Sequence, residues 1–312
     1  MSKKYKKIVG RCVSWWAIKL FTSLSGALSL KVNYFLGKVL GDIAYAIVAR
    51  HRKYAFQNLA IAFPEKMPKE IKRITRDFFI FMAQGSFELL HFLKNPSQLS
   101  RIYIEGKHCL DNALSKNKGV IILTAHLGNF PLMSLKLAKM GYSINIVARP
   151  MRDERAGQYI HSLRSASGVK TIFSYPRRDC VSGIVKALRN NELVVIQMDQ
   201  NFGTGGVWVK FFGKLAATPV GPITLALRTD AVILPGYIFR KCDTEHVLKF
   251  FPEEKLILGN CKEETILLNA VKFTRMIESW IRNVSSQWVW IHRRWKSRPS
   301  EKIKKMKFKI EQ

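Results

Sequence analysis

Between residues 120 and 251 the chain alternates short apolar runs with stretches of helical periodicity, and few folds accept that alternation. Val120–Thr124, Ile144–Ala148, Lys170–Ile172 and Leu193–Met198 read as strands, with further strands near Val232–Phe239 and His246–Phe251. Apolar strands separated by helix-length segments call for crossover connections. The expected fold class is therefore α/β, a largely parallel sheet flanked by helices. From Lys69, the spacing of Ile71, Ile74, Phe78, Phe81, Gly85 and Leu89 predicts a helix that covers the main domain, and Glu264–Arg282 reads as a late helix. Ligands of such sheets gather beyond the carboxyl ends of the strands, so polar residues at those ends carry the functional argument.

The N-terminal part follows a different rule. Lys3, Lys4, Lys6, Lys7 and Arg11 precede an apolar, aromatic stretch from Val13 to Val48. Its longest uncharged run, Leu20 to Leu30, has eleven residues, whereas roughly 20 are needed to span a hydrocarbon core. No small-residue cleavage site follows a short apolar core, so a removable secretory signal is not expected. A basic flank with Trp15, Trp16, Phe21, Tyr34 and Phe35 suits helices lying in or dipping into the cytoplasmic leaflet, with a soluble hairpin packed on the main domain as the alternative. The expected division is a helical anchor over 1–50, an α/β domain over 51–299 and a basic tail over 300–312.

Lys and Arg number 52 against 22 Asp and Glu, a net charge of +30 that must attract acidic partners: nucleic acid, anionic membrane lipid or an acidic carrier protein. No helix-turn-helix, zinc or RNA-binding signature accompanies the charge, so nucleic acid is not expected. With 47% hydrophobic and 24% charged residues, the composition excludes a disordered tail protein, a collagen-like repeat and a polytopic membrane protein. Cys12, Cys109, Cys180, Cys242 and Cys261 show no C-x-x-C spacing and read as reduced, mostly buried thiols.

The sharpest local feature is Thr-Ala-His-Leu-Gly-Asn-Phe at 124–130, where a strand ends at His126 and Gly128 is expected to open the following helix. An imidazole at that edge can act as a general base, and backbone N–H groups at a helix start, here Leu127, Gly128 and Asn129, can stabilise an oxyanion. Arg149 ends the next strand, and Asp199 and Gln200 end a later one before a glycine loop. Trp288, Trp290 and His292 alternate as in a half-buried strand, with Arg293 and Arg294 as a basic rim.

In order along the chain stand Asn-Leu-Ala-Ile-Ala-Phe-Pro at 58–64, the His126 segment, Val-Ala-Arg-Pro-Met-Arg at 147–152, Gln-Met-Asp-Gln-Asn-Phe-Gly-Thr-Gly-Gly at 197–206, Lys-Phe-Phe-Gly-Lys-Leu-Ala-Ala-Thr-Pro at 210–219 and Gln-Trp-Val-Trp-Ile-His-Arg-Arg-Trp-Lys-Ser-Arg-Pro at 287–299. This set resembles the lauroyl/myristoyl acyltransferases of lipid A biosynthesis, within the wider lysophospholipid acyltransferase superfamily. The resemblance implies an enzyme at the cytoplasmic face of the bacterial inner membrane, moving a fatty acyl group from an acyl carrier protein thioester to a hydroxyl of a lipid A precursor. It implies neither metal nor cofactor, and it puts Arg149 at the mouth of the active site.

One position departs from the pattern. The family's His-x4-Glu/Asp motif supplies a base and the carboxylate that orients it; His126 matches the base, but Pro131 stands where the acid belongs. Loss of an orienting carboxylate costs on the order of 10⁴ in rate in the serine-protease case. Three explanations are open: Asp199 substitutes for the acid, the reaction is slow or uses a more nucleophilic acceptor, or the protein is a degenerate member that binds lipid or carrier without turnover.

Overall fold

The computed structural model describes residues 15–299 apart from 17, 152, 204 and 243. The basic N-terminal flank, Cys12 and the tail expected over 300–312 lie outside the described residues. Helix α1 covers residues 18–27, and α2 (Leu30–Ile47), α3 (Ala49–Ala62) and α4 (Pro68–Lys94) follow. The α/β part then runs β1 (Ile102–Glu105), α5 (Lys107–Leu114), β2 (Val120–Thr124), α6 (Pro131–Lys139), β3 (Ile144–Ala148), α7 (Glu154–Ala166), β4 (Val169–Phe173), α8 (Arg177–Arg189) and β5 (Leu193–Gln197). A hairpin of β6 (Val207–Phe211) and β7 (Lys214–Thr218) precedes α9 (Gly221–Thr229), β8 (Val232–Cys242), β9 (Glu245–Phe250) and α10 (Lys262–Asn283).

Seven strands form one sheet in the order β1-β9-β8-β2-β5-β3-β4. Its β8, β2, β5, β3 and β4 are parallel, and β9 turns back antiparallel to β8. The α/β expectation therefore holds, because strands buried on both faces must be apolar throughout. Every residue of β2 is buried, and alternation sorts its side chains into two cores. Ile121 and Leu123 pack with α8, α9 and α10, while Val120 and Ile122 pack with α5 and α6. The chain leaves β2 for β3 and β4 and then returns to insert β5 between β2 and β3. That reversal opens a crevice at the carboxyl ends of the central strands.

Two expectations need correction. The segment after α10 is no strand: Trp288 and Trp290 are fully buried in irregular backbone, which makes a single isolated bridge, from Trp288 to Leu127. Alternate apolar residues mimic a strand's period, but here both indoles point into one core. The thiols are not mostly buried either. Cys180 is buried, Cys109 half-buried, and Cys242 and Cys261 are exposed, the latter capping α10 by accepting a bond from the Glu264 N–H.

Helix α2 packs along α4 through its glycines. A side chain at Gly37 would meet the backbone of Gln84, and one at Gly41 the backbone of Ile80. On the opposite face Val32, Phe35, Leu36, Val39, Leu40, Ile43 and Ile47 form an exposed apolar stripe, with Phe35 at 65% and Ile47 at 73% exposure. Among the described residues no single helix is long and apolar enough to cross a membrane, and the α2–α3 pair is bent by 91°.

This packing makes a contrast testable by denaturant unfolding in detergent. Gly41→Val should cost about 1–3 kcal/mol by forcing α2 off α4, whereas Leu40→Ser on the exposed stripe should stay within roughly 0.5 kcal/mol. Equal effects at the two positions would contradict the close approach of the helices.

Candidate functional site

Strands β2 and β5 pair in parallel with Thr124 beside Gln197, and the pairing continues as Met198 N–H donates to the Thr124 carbonyl at 3.1 Å. Two residues beyond each strand end, the same register sets His126 beside Asp199. The helix does not begin at Gly128, as the sequence suggested, but at Pro131, so residues 125–130 form a loop. Gly128 turns that loop at φ +62°, and a side chain there would strike the Ile238 carbonyl. Pro131 fills the first helical position, where its missing N–H leaves no bond unmade.

The Asp199 side chain is sealed from solvent and receives three N–H groups. His126 donates its backbone N–H at 3.0 Å and its ring Nδ1 at 2.8 Å, and Trp288 donates Nε1 at 2.7 Å. Burial alone would raise the Asp199 pKa, but the facing His126 and these donors hold it below the usual carboxylate range. An ionised carboxylate only accepts, so the proton of neutral His126 sits on Nδ1 and the Nε2 lone pair is left as a base. Burial pulls the His126 pKa down, yet the charge and hydrogen bond of Asp199 outweigh it and the net shift is upward. The Phe130 ring meets the imidazole edge-on with centroids 4.9 Å apart, restricting its rotation.

His126 lies in the wall of a cavity of about 1070 Å³. Val147, Val181, Ile184, Ile196 and Leu225 supply apolar lining, while Arg149, Arg177, Arg228 and Lys262 bring cationic groups, with no carboxylate in the lining among the described residues. Of the residues expected at the site, His126, Arg149 and Gln200 line this cavity and Asp199 stands behind His126. Of the backbone N–H groups expected as oxyanion donors, that of Gly128 is committed elsewhere. The Gly128 N–H donates to the Gln287 carbonyl at 3.0 Å, and Leu127 is fully buried beside Trp288. The Asn129 side chain donates to the Gly85 carbonyl at 3.0 Å and to Glu88 at 2.7 Å. Among the described residues no three His, Cys, Asp or Glu side chains converge as metal ligands.

The C-terminal segment supports the pair, and the sequence concealed how. Asn58 donates to the carbonyls of Trp290 and His292 at 2.7 and 2.8 Å. His292 Nε2 accepts the Asn201 N–H at 2.9 Å, its pKa lowered by burial, and so fixes the loop after Asp199. Buried Arg294 donates to the Ala217 carbonyl and to Thr218 Oγ1, joining this segment to the β6–β7 hairpin. The indole N–H of Trp288 was the missed polar contribution. Its only sequence signal is that a buried Trp needs an acceptor.

Comparison with known proteins gives a consistent picture. A family model described as bacterial lipid A biosynthesis acyltransferase matches residues 2–297. The chain is similar to the lipid A biosynthesis palmitoleoyltransferase of Escherichia coli K12, 26% identical over 272 residues and 85% of each chain. It is also similar to that organism's lipid A biosynthesis lauroyltransferase, 24% identical over 274 residues and 86% of each chain. Similarity to a phosphatidylinositol mannoside acyltransferase of Mycobacterium tuberculosis is 31% over 145 residues, 46% of each chain.

Titration of the imidazole by NMR reads this geometry without any substrate. His126 should titrate above its ordinary value of ~6.5. In Asp199→Asn burial is left unopposed, and the titration should fall below ~6.5. The same midpoint in both proteins would mean that the carboxylate does not govern the ring.

Proposed function

The chain belongs to the bacterial lipid A biosynthesis acyltransferase family, and from that membership we propose that it transfers a fatty acyl group from an acyl carrier protein thioester to a hydroxyl of a lipid A precursor or related glycolipid. The observation that carries this reading is the His126–Asp199 pair, whose basic nitrogen is free of Asp199 in the wall of an apolar cavity with cationic groups. Nε2 of His126 takes the proton of the acceptor hydroxyl, and the oxygen attacks the thioester carbonyl. Arg149 faces the oxyanion of the tetrahedral intermediate. Collapse of the intermediate breaks the C–S bond, and the imidazolium returns its proton to the departing thiolate. Asp199 keeps the ring in the reactive tautomer and stabilises its protonated form.

In this reading Asp199 replaces the carboxylate that Pro131 lacks. The support is that its oxygens already take both the ring and the backbone N–H of His126, which leaves no orienting task for a residue at position 131. The apolar stripe on α2 supports seating on the cytoplasmic face of the inner membrane, with exposed Lys31 and Lys38 able to meet anionic head groups. Valine, isoleucine and leucine side chains in the cavity suit the acyl chain.

Mass spectrometry of lipids from cells with and without the protein tests the activity: the expected difference is one acyl chain, and identical lipids favour binding without turnover. His126→Ala should abolish transfer, and Asp199→Asn should lower kcat by about 10²–10⁴ while lipid binding is kept. Pro131→Glu should bring no gain. A wild type that becomes active only with Pro131→Glu would identify a degenerate binder instead.

The membrane reading has its own check. Replacing Phe35, Leu40 and Ile43 with serine should release the protein from anionic vesicles by an amount that scales with the apolar area removed. Undiminished vesicle binding would reject the stripe as the contact.

A further inference from the structure

A thioester carried on a protein needs a seat beside the cavity that holds His126, and a second groove adjoins that cavity. Val181 and Arg228 line both the His126 cavity and a surface groove of about 520 Å³. The rest of the groove is the outer face of α8. Arg178, Ser182, Val185 and Arg189 recur three and four residues apart on that face, with Lys186 at its edge, while Ile184 and Leu188 on the other side enter the core. Arg178, Lys186, Arg189 and Arg228 are exposed. Among the described residues no carboxylate lines the groove, and Asp179 of the same helix lies outside it.

We infer that this groove is the docking surface for the acyl carrier protein; the inference rests on the carrier-borne donor assigned above. An acidic helix of the carrier fits it for three reasons. Cationic side chains flank its whole length, so negative charge is steered to it and held in register. Val181 and Val185 give it an apolar floor, which lets the contact exclude water between the charges. Its shared lining of Val181 and Arg228 seats a docked carrier next to the cavity that holds His126. A second basic groove, lined by Tyr54, Lys214, Arg293, Lys296 and Arg298 among others, shares no lining residue with the cavity among the described residues.

The test compares the full-length protein with the triple variant R178E/K186E/R189E, using acyl carrier protein charged with a fatty acyl group and, separately, carrier-free acyl-pantetheine. The KM for the acyl carrier should rise at least about tenfold, with kcat at saturation and the acyl-pantetheine rate near wild type. Reversal of Lys214, Lys296 and Arg298 should leave that KM within about twofold. An unchanged KM in the α8 variant, or an equal loss with both donors, overturns the docking surface while leaving the donor assignment intact. A wild type that accepts acyl-coenzyme A but never the acyl carrier overturns both.

Discussion

Charge placed in a dry interior must be met by donors, and the Asp199 carboxylate, at the end of β5, is met from the end of β2 and from a distant segment at once. Its oxygens bond His126 through main chain and ring and Trp288 through the indole N–H. Removing any one of these donors leaves a buried charge under-compensated, a loss larger than that of an ordinary hydrogen bond. The carboxylate therefore fixes the β2 and β5 ends, the tautomer of the imidazole and the path of the C-terminal segment together. Asn58, His292 and Arg294 extend the constraint outward, so that α3 and the β6–β7 hairpin also depend on where the Trp288 segment lies.

A second buried carboxylate couples the N-terminal helices to the same loop. Glu88 on α4 accepts from Tyr34 of α2, from Asn129 at 2.7 Å and from His246 at 2.6 Å, and Arg240 lies 3.4 Å away. Burial disfavours its charge, but His246 and Arg240 more than offset this and hold its pKa down to about 2. The helix that carries the exposed apolar stripe is thus hydrogen-bonded, through one side chain, to the residue three positions after His126. The position of α2 and the geometry of the loop after β2 share one link.

Most of the sheet was legible because strands buried on both faces leave continuous apolar runs, and six of its seven strands, all but β1, were read from the sequence within a few residues. The resemblance to a family was legible from ordered motifs, since no single one of them specifies a site. The sequence offered Asp199 as one of three explanations, and what selects it is register between strands that are not consecutive. His126 and Asp199 are 73 residues apart, and only the insertion of β5 beside β2 makes them neighbours. The indoles of Trp288 and Trp290 were mistaken for a strand because spacing reports periodicity and not backbone hydrogen bonding. Gly128 suggested a helix start, but its positive φ and its contact with Ile238 make it a loop residue.

The account stands on His126 acting as a base whose affinity for protons is set by Asp199, and the pH dependence of kcat/KM for acyl transfer tests that most directly. Protonated His126 cannot take a proton, so the rate should fall about tenfold per pH unit on the acid side, with a midpoint above ~6.5 that matches the titration of the ring. Asp199→Asn should move that midpoint down as well as lowering the plateau. A flat acid limb, or a midpoint that ignores the loss of the Asp199 charge, would contradict the account.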